Sequence, residues 1–284
     1  MSNQTLTCNG LSLDLSKPNV MGILNITPDS FFDGGQLFRN GKIDEVVLLK
    51  RVEQMLSEGA DILDIGGEST RPGASVVELD EELDRVVTAV NLIRKRFDVV
   101  ISVDTSSPEV MKQSVNAGAG IINDIRALQR ENAVTTAAEL KVPVVLMHMQ
   151  GEPSTMQKAP EYTDIVGEVR SFLLQRVEQC KLAGIESKHI ILDLGFGFGK
   201  TLNHNLSLMK HLSEFTQLPY LNLVGVSRKS MIGQVLNKPV EDRLVGGLSL
   251  AVQALNKGAK FLRVHDVGET VDAVKMFSAV EKAL

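Results

Sequence analysis

The sequence has few cysteines, few aromatic residues and no long apolar run, and each shortage excludes a class of protein. The 284 residues include two cysteines and no tryptophan, and aromatic residues make up 4% of the chain. Cys8 and Cys180 are too few for a disulfide framework and too far apart for a zinc motif, which favours a reducing compartment. No apolar run approaches the ~18 residues that span a bilayer, and residues 1–5 carry no targeting signal. We expect a cytoplasmic protein without a membrane segment.

A strong excess of one charge is also missing. Lys and Arg number 30 against 35 Asp and Glu, for a net charge of -5. This balance argues against nucleic acid or an anionic membrane as a partner, so any bound anion must meet a local cluster of basic residues. Hydrophobic residues at 43% and charged residues at 23% are ordinary globular values, which exclude a disordered or fibrous chain.

The sequence does contain a regular alternation of short β-branched runs and longer amphipathic stretches. The eight runs are residues 20–25, 61–65, 99–104, 121–124, 142–147, 190–193, 221–226 and 261–264. Helical periodicity between them is clearest at residues 43–57, 78–96, 164–182 and 244–256. Eight β/α units predict an α/β fold, a (β/α)8 TIM barrel, as a single domain over residues 1–284. A doubly wound sheet is disfavoured because no nucleotide-binding fingerprint follows the first strand.

Residues 1–18 precede the first barrel strand and carry a hairpin signal. Asn9-Gly10 separates two short apolar segments, and this dipeptide suits a two-residue β-turn. We expect a small N-terminal β-hairpin that closes one end of the barrel.

Polar side chains stand at the carboxyl end of nearly every predicted strand, although barrel strands are covered on both faces. They are Asn25, Asp64, Glu68, Asp104, Asn123, Asp124, His148, Asp193, Ser227, Arg228, Lys229, Arg263 and His265. A single aspartate there has about even odds of being a helix N-cap or another satisfied structural polar group. A whole ring of polar residues instead predicts an active site, because TIM barrels build their sites at this rim.

The rim residues divide into two chemical sets. Asp104, Asn123, Asp193 and Lys229 combine acceptors and donors, which suits the edges of a planar heterocycle. The second set suits phosphate or pyrophosphate with magnesium. It comprises Arg71, Arg263 and His265, with Asn25 as a neutral oxygen donor.

Residues 195–201 form a glycine-rich stretch that does not fit a nucleotide-binding pattern. A phosphate loop would need glycine at position 194, where Leu194 stands, and the dinucleotide pattern fails at Lys200. We interpret the stretch as a close backbone approach to a flat ligand. Phe196 is expected to stack on that ligand and Phe198 to belong to the core.

Three connections are longer than barrel closure requires. Residues 27–39 and 66–75 are polar and glycine-rich, and we expect mobile loops that cover a second substrate. The third, residues 150–163, is either a lid or a spacer.

Several segments together resemble the bacterial dihydropteroate synthase family over essentially the whole chain. The two signature segments are residues 21–31 and 66–73, and further matches follow in order at residues 102–105, 122–124, 195–200, 227–230 and 263–266. Together these motifs are highly specific, whereas any one alone would be weak. One departure is Leu194, where the family pattern has proline, and it affects loop stiffness more than ligand chemistry.

The resemblance implies a transferase of folate biosynthesis. Its reaction would condense 6-hydroxymethyl-7,8-dihydropterin pyrophosphate with p-aminobenzoate to give 7,8-dihydropteroate and pyrophosphate. A barrel fold, a Mg²⁺ cofactor, a homodimer and inhibition by sulfonamides are implied as well.

Site residues follow by matching the family position by position. The pterin would be bound by Asp104, Asn123, Met147, Asp193, Phe196 and Lys229. The p-aminobenzoate pocket would comprise Phe31, Thr70, Arg71, Pro72 and Ser227. Thr70, Arg71, Arg263 and His265 would bind the pyrophosphate, and Asn25 the metal. Asp104, Lys229 and Arg71 would be the catalytic residues.

Two alternatives from other classes stay open at the level of sequence. A pterin-dependent methyltransferase would use the pterin-binding residues but not the pyrophosphate set. A non-catalytic pterin-binding module would be favoured by loss of Asn25, Lys229 or Arg263, and all three are present. For the synthase we expect a dissociative substitution, because acidic residues flank the pterin and basic residues the leaving group.

Overall fold

Eight parallel strands close into a barrel in a computed structural model that describes residues 4–27, 37–39, 42–68, 77–153 and 155–283. The barrel order is β10-β11-β12-β3-β6-β7-β8-β9. Its strands are β3 (Asn19–Asn25), β6 (Ile62–Gly66), β7 (Val100–Asp104), β8 (Ile121–Asp124), β9 (Val144–Met147), β10 (Ile190–Asp193), β11 (Leu221–Val224) and β12 (Phe261–Val264). The predicted TIM barrel is confirmed, and each strand falls within or beside its predicted run.

The remaining strands form two small antiparallel pairs. They are β1 (Thr5–Cys8) with β2 (Leu11–Asp14), and β4 (Phe38–Arg39) with β5 (Lys42–Ile43).

Helices return the chain between successive barrel strands. They are α1 (Glu45–Glu58), α2 (Leu79–Arg94), α3 (Pro108–Asn116), α4 (Ala133–Leu140), α5 (Ile165–Leu182), α6 (Leu202–Lys210), α7 (Ser213–Thr216), α8 (Ser230–Leu236), α9 (Leu244–Asn256) and α10 (Val267–Glu281). Sequence signals define their ends: the Asp44 side chain accepts from the amides of Val46 and Val47 at the start of α1, and Gly59 ends the helix with a left-handed φ of 101°. None of the helices in the described residues is both long and apolar enough to cross a bilayer.

The N-terminal hairpin forms as predicted and covers the amino end of the barrel. Asn9 and Gly10 have φ angles of 48° and 86°, which are the positive values that a type I′ turn requires. The Asn9 amide donates to the carbonyls of Val115 and Ala119, each at 2.9 Å. The hairpin lies so close that a Cβ on Gly120 would be 2.8 Å from the Cys8 carbonyl oxygen.

Two apolar layers hold this architecture together. The larger one packs the helices against the outside of the barrel, and the smaller one fills its amino end. The smaller layer takes one residue from each barrel strand, namely Met21, Ile62, Val100, Ile121, Val145, Ile191, Leu223 and Phe261. Leu6, Cys8 and Leu13 of the hairpin pack against this ring. The interior of the barrel at its amino end is therefore a closed apolar core, and the charged rim residues lie at the opposite end.

Candidate active site

The strand register brings the predicted rim residues to the carboxyl end of the barrel. Asn25 pairs with Gly66, Gly66 with Asp104, and Asp104 with Asn123 on successive strands. A Cβ placed on Gly66 would lie 3.6 Å from both Asn25 Oδ1 and Asp104 Cβ. Asn25 and Asp104 thus flank the same small gap, which exists because Gly66 has no side chain.

Arg263 joins two carboxylates across the interior of the barrel. Its Nε donates to Asp64 Oδ2 at 2.6 Å and an Nη to Asp104 Oδ2 at 2.8 Å. Asp64 is fully buried, and the Asn123 amide also donates to its two oxygens at 3.3 and 3.2 Å. Although burial opposes the charge of Arg263, the carboxylates of Asp64 and Asp104 raise its pKa above the usual value. Arg263 therefore stays charged at any physiological pH.

Burial disfavours the charged form of Asp104 in spite of its ion pair with Arg263. Burial raises the pKa of its carboxyl to about 7, the charges of Asp64 and Asp124 add to this effect, and Arg263 opposes it. A carboxyl that titrates near neutral pH in a polar rim is the kind of group that functional sites contain.

Lys229 lies on the opposite side of the rim, over the glycine-rich loop. Its Nζ donates to the Phe196 carbonyl and stands 4.7 Å from the centre of the Phe198 ring. Burial lowers the pKa of Lys229 to about 8, and the attraction of Asp193 only partly restores it. Burial likewise raises the pKa of Asp193, whose Oδ1 accepts the Gly195 amide at 2.8 Å. The charge states of Asp104, Asp193 and Lys229 therefore depend on one another, beside the permanently charged Arg263.

The two loop phenylalanines differ in burial in the opposite sense to the prediction. Phe196 is 0% exposed and belongs to the hydrophobic core, which does not favour the predicted stacking of its ring on a ligand. Phe198 is the half-buried ring, and it faces the Lys229 ammonium. Left-handed glycines at positions 195, 197 and 199 turn the backbone between the two residues, so alternation along the chain does not reveal which ring points inward.

Ser227 and His265 meet at the edge of the rim. The Ser227 hydroxyl accepts the His265 amide at 3.2 Å and lies 3.2 Å from His265 Nδ1. Burial lowers the pKa of His265 to about 3, and the neighbouring Arg263 adds to the effect. In this environment the His265 imidazole is neutral at physiological pH.

Not every polar residue of the rim faces the site. The Asp124 carboxylate accepts the Ser106 hydroxyl and the amides of Arg126 and Leu128, the latter two at 2.8 Å. Arg228 makes two hydrogen bonds to Asp266, at 2.9 and 2.6 Å. Asp124 is therefore a satisfied structural acceptor, and Arg228 braces the loop that carries Lys229.

Four predicted residues lie outside the described part of the chain: Phe31, Thr70, Arg71 and Pro72. The two loops expected to be mobile, residues 27–39 and 66–75, fall largely there as well. Met147, the last residue of β9, is 4% exposed beside the glycine-rich loop. The structure thus brings together the predicted pterin set and part of the pyrophosphate set.

Sequence reasoning missed two members of the cluster. Asp64 stands at a predicted strand end without a predicted role, although it binds both Arg263 and Asn123. Lys200 has no predicted role in the site, yet it is buried beneath the glycine-rich loop. A carboxylate two residues before the end of a buried strand was a usable signal for Asp64, because such a position requires a partner.

The fold and the charged rim define a TIM-barrel protein with a candidate active site at the carboxyl end of its strands. Comparisons with known proteins identify its family. A family model described as pterin binding enzyme matches residues 21–265. Dihydropteroate synthases from Haemophilus influenzae and Escherichia coli are each 52% identical over 278 residues, covering 98% of this chain and 99% and 97% of those proteins.

Solved structures agree with the family match. Yersinia pestis dihydropteroate synthase in a sulfonamide drug complex superposes with a TM-score of 0.93 at 50% identity, covering 98% of this chain and 100% of that one. The Xanthomonas albilineans enzyme in complex with 7,8-dihydropteroate gives a TM-score of 0.87 at 41% identity, covering 99% and 100%. The chain belongs to the dihydropteroate synthase family. The methyltransferase and binding-module alternatives find no support in these matches.

Proposed function

We propose that this chain is a transferase that condenses 6-hydroxymethyl-7,8-dihydropterin pyrophosphate with p-aminobenzoate, forming 7,8-dihydropteroate and pyrophosphate. The observation that carries the proposal is the buried cluster at the barrel mouth. There Asp104 is bound by Arg263, and Asp193 lowers the cost of the charge on Lys229. Related structures from Xanthomonas albilineans contain 4-aminobenzoic acid and 7,8-dihydropteroate, which are a substrate and the product of this reaction.

The pterin site uses hydrogen bonds at the ring edges. Ionised Asp104 and Asp193 accept from ring and amino N–H groups, the Asn123 amide offers both a donor and an acceptor, and the Lys229 ammonium donates to ring acceptors. Met147 and Phe198 contribute apolar contact to the ring faces. The half-buried position of Phe198 beside Lys229 supports this assignment over Phe196.

Pyrophosphate is received on the Arg263 side of the cluster. The guanidinium keeps its charge at neutral pH, and it is held in place by the fully buried Asp64. If the pterin edge engages Asp104, one donor of Arg263 is released towards the leaving group. His265 adds a neutral N–H, and Thr70 and Arg71 of the 66–73 segment complete the anion site in this proposal.

The residues present fit a Mg²⁺ ion that arrives with the substrate. Among the described residues no group of three His, Cys, Asp or Glu could hold a metal, so a dedicated cage is not expected there. Mg²⁺ is commonly held by one or two protein oxygens together with substrate phosphates. Asn25 Oδ1, beside the Gly66 gap, is placed to be such an oxygen. The bound ion would neutralise charge on the pyrophosphate.

The reaction proposed for these residues is a dissociative substitution. The bond between the pterin methylene and oxygen breaks, and its electron pair leaves with pyrophosphate, whose charge Arg263 stabilises. Asp104 and Asp193 stabilise the positive charge left on the pterin methylene. The neutral amine of p-aminobenzoate then donates its lone pair to that carbon and loses a proton to solvent, so it needs positioning and no strong base.

The p-aminobenzoate pocket is proposed to lie beside Ser227, with Phe31, Thr70, Arg71 and Pro72 from the two long loops. We expect Arg71→Ala mainly to weaken binding of p-aminobenzoate and release of pyrophosphate. Sulfonamides would compete at this pocket, and the sulfonamide complex of the Yersinia pestis relative supports that expectation.

A homodimer and a cytoplasmic location complete the proposal. Val245 of α9 and Met276 and Val280 of α10 are 72%, 66% and 66% exposed, which supports an apolar contact on this side of the barrel. Both cysteines are buried free thiols, as a reducing compartment allows.

Pyrophosphate release tests the reaction directly. Purified protein is given the dihydropterin pyrophosphate and Mg²⁺, with and without p-aminobenzoate. Release that depends on p-aminobenzoate is the expected result. Tight pterin binding without any release would contradict the proposal and return the methyl-transfer and binding-module alternatives.

A further inference from the structure

The glycine-rich loop that follows β10 is held by side chains at every carbonyl. From Gly195 to Gly199 the five successive carbonyl oxygens accept, in order, from Lys200, Lys229, Gln157, Lys200 and Tyr162. A loop rich in left-handed glycines would otherwise be free to change conformation. Side-chain donors on all five carbonyls instead make it a fixed platform.

Lys200 is the central member of this set. Its Nζ donates to the carbonyls of Gly195 and Phe198, both at 2.9 Å, and to the His148 carbonyl at 3.2 Å. It also lies 2.9 Å from His148 Nδ1. Only 3% of Lys200 is exposed, which is rare for lysine because burying an ammonium is costly unless every donor is satisfied. None of its hydrogen-bond acceptors is a carboxylate, so a strong ion pair does not explain why the residue is there.

The anchor on the other side of Lys200 is rigid. His148 follows β9 directly, its amide donates to the Asp193 carbonyl at 3.0 Å, and its ring packs edge-on against Phe172 with centroids 4.9 Å apart. Burial lowers the pKa of His148 to about 3, so its ring is neutral at working pH and adds no positive charge beside Lys200. Lys200 thus connects the carboxyl end of β9 to the glycine-rich loop.

The two loop carbonyls bound by Lys200 bracket the part of the loop that touches Lys229. Gly195 stands just before the Phe196 carbonyl that accepts from Lys229 Nζ, and Phe198 carries the ring that Nζ faces at 4.7 Å. A shift of the loop would therefore move both contacts of the Lys229 ammonium together.

We propose that Lys200 is a positioning residue, which fixes the Lys229 ammonium and the Phe198 ring for the pterin by clamping the glycine-rich loop to His148. The expected kinetic effect rests on the proposed function. The clamp itself rests on the hydrogen bonds of Lys200 alone. The alternative is that Lys200 only stabilises the folded barrel, in which case its loss lowers stability and leaves the environment of Lys229 unchanged.

The test compares Lys200→Met with Lys210→Met, which removes an exposed lysine ten residues further along. For Lys200→Met we expect kcat/KM for the pterin substrate to fall by about 10- to 100-fold, because small misplacements of binding groups carry costs of this size. Lys210→Met is expected to match the wild type.

A second readout does not depend on catalysis. Trace acetylation of Lys229 across pH, followed by peptide mass spectrometry, reports the pKa of its amine, which is about 8 in the wild type. The charged groups that face this amine are Asp193 of β10, Asp104 of β7 and Arg263 of β12. All three remain in the variant. In Lys200→Met we expect that pKa to rise towards the usual lysine value, because a loosened loop admits water around the Lys229 amine and reduces the effect of burial.

Tyr162→Phe provides a milder variant in case Lys200→Met does not fold. It removes only the 2.8 Å hydrogen bond to the Gly199 carbonyl, and we expect about a threefold loss of kcat/KM for the pterin. An unchanged Lys229 titration in folded Lys200→Met, or unchanged kinetics in both variants, would overturn the inference. If the wild type itself shows no turnover, the proposed function fails, while the Lys229 titration still decides whether the clamp exists.

Discussion

The two ends of the barrel differ in chemistry: the amino end is apolar and the carboxyl end is charged. At the amino end, one apolar side chain from each strand meets the hairpin residues Leu6, Cys8 and Leu13. At the carboxyl end, the same strands finish in a network of buried charges around Arg263 and Lys229. Burial of apolar surface stabilises the fold, whereas burial of charge costs stability unless it is paired.

Shifted pKa values separate the two ends in the same way. At the rim, burial moves the pKa of Asp104 to about 7 and that of Lys229 to about 8, which places both near working pH. At the amino end, burial raises the pKa of the Cys8 thiol to about 12 and so makes it inert. Desolvation thus brings the pKa values of Asp104 and Lys229 near working pH at one end and keeps the Cys8 thiol protonated at the other.

Loss of the rim ammonium should have the largest effect. Lys229→Ala is expected to reduce kcat by about 10³-fold, the cost of removing a preorganised charged donor from a site. The unfolding midpoint should be close to that of the wild type, because this ammonium is already costly in the folded state. Steady-state kinetics and thermal unfolding measure the two quantities, and Lys210→Ala on the exposed face of α6 is the control. A wild-type rate would remove Lys229 from the site.

Asp104→Asn should separate function from stability. We expect kcat to fall by about 10²-fold, since the amide cannot supply the carboxylate charge. The carboxyl of Asp104 titrates near pH 7 when folded and near 3.8 in its ordinary state, so the stability that it contributes is present below pH 3.8 and is lost as pH rises to 7. The variant should therefore be more stable than the wild type at pH 8 and similar to it at pH 4.

Urea unfolding at these two pH values checks the stability part of this prediction. A variant that is less stable than the wild type at pH 8 would mean that the ion pair with Arg263 outweighs the burial of Asp104.

A substitution at the amino end should lower stability and leave kcat unchanged. Leu13→Ala removes a hairpin side chain that is 5% exposed and packs on the apolar ring. We expect the free energy of unfolding to fall by about 2 to 3 kcal/mol, with kcat unchanged. Leu182→Ala on an 81% exposed residue is the matched control and should have little effect. A loss of kcat in folded Leu13→Ala would show that the two ends are coupled.

The smallest effect expected is the pH dependence of the wild type. The pKa values of about 7 and about 8 predict that kcat/KM for the pterin rises as Asp104 ionises and falls as Lys229 loses its proton. Each limb should approach tenfold per pH unit, and its apparent pKa belongs to the coupled cluster rather than to one residue. A profile that is flat between pH 6 and 9 would contradict these assignments.

The sequence alone predicts the strands of the barrel and the N-terminal hairpin. Period and spacing identify the eight strands, and Asn9-Gly10 identifies the hairpin, because each depends on local chemistry. Strand ends also locate Asp104, Asn123 and Asp193, since parallel strands bring their carboxyl ends to one rim.

Local patterns could not reveal contacts across the barrel. The choice between Phe196 and Phe198 depends on left-handed glycines that reorient the loop. The burial of Lys200 depends in part on the carbonyl of His148, which follows a different strand. The neutral state of His265 comes from its surroundings rather than from its residue type. Tertiary environment therefore decides what the sequence leaves open at the site.

The central claim is that the charged rim forms 7,8-dihydropteroate. Its most direct test measures that product by mass spectrometry from purified wild type and Lys229→Ala, each given the dihydropterin pyrophosphate, p-aminobenzoate and Mg²⁺. The account predicts product from the wild type and about 10³-fold slower formation by the variant. Absence of product from the wild type, or equal rates in the two proteins, would contradict it.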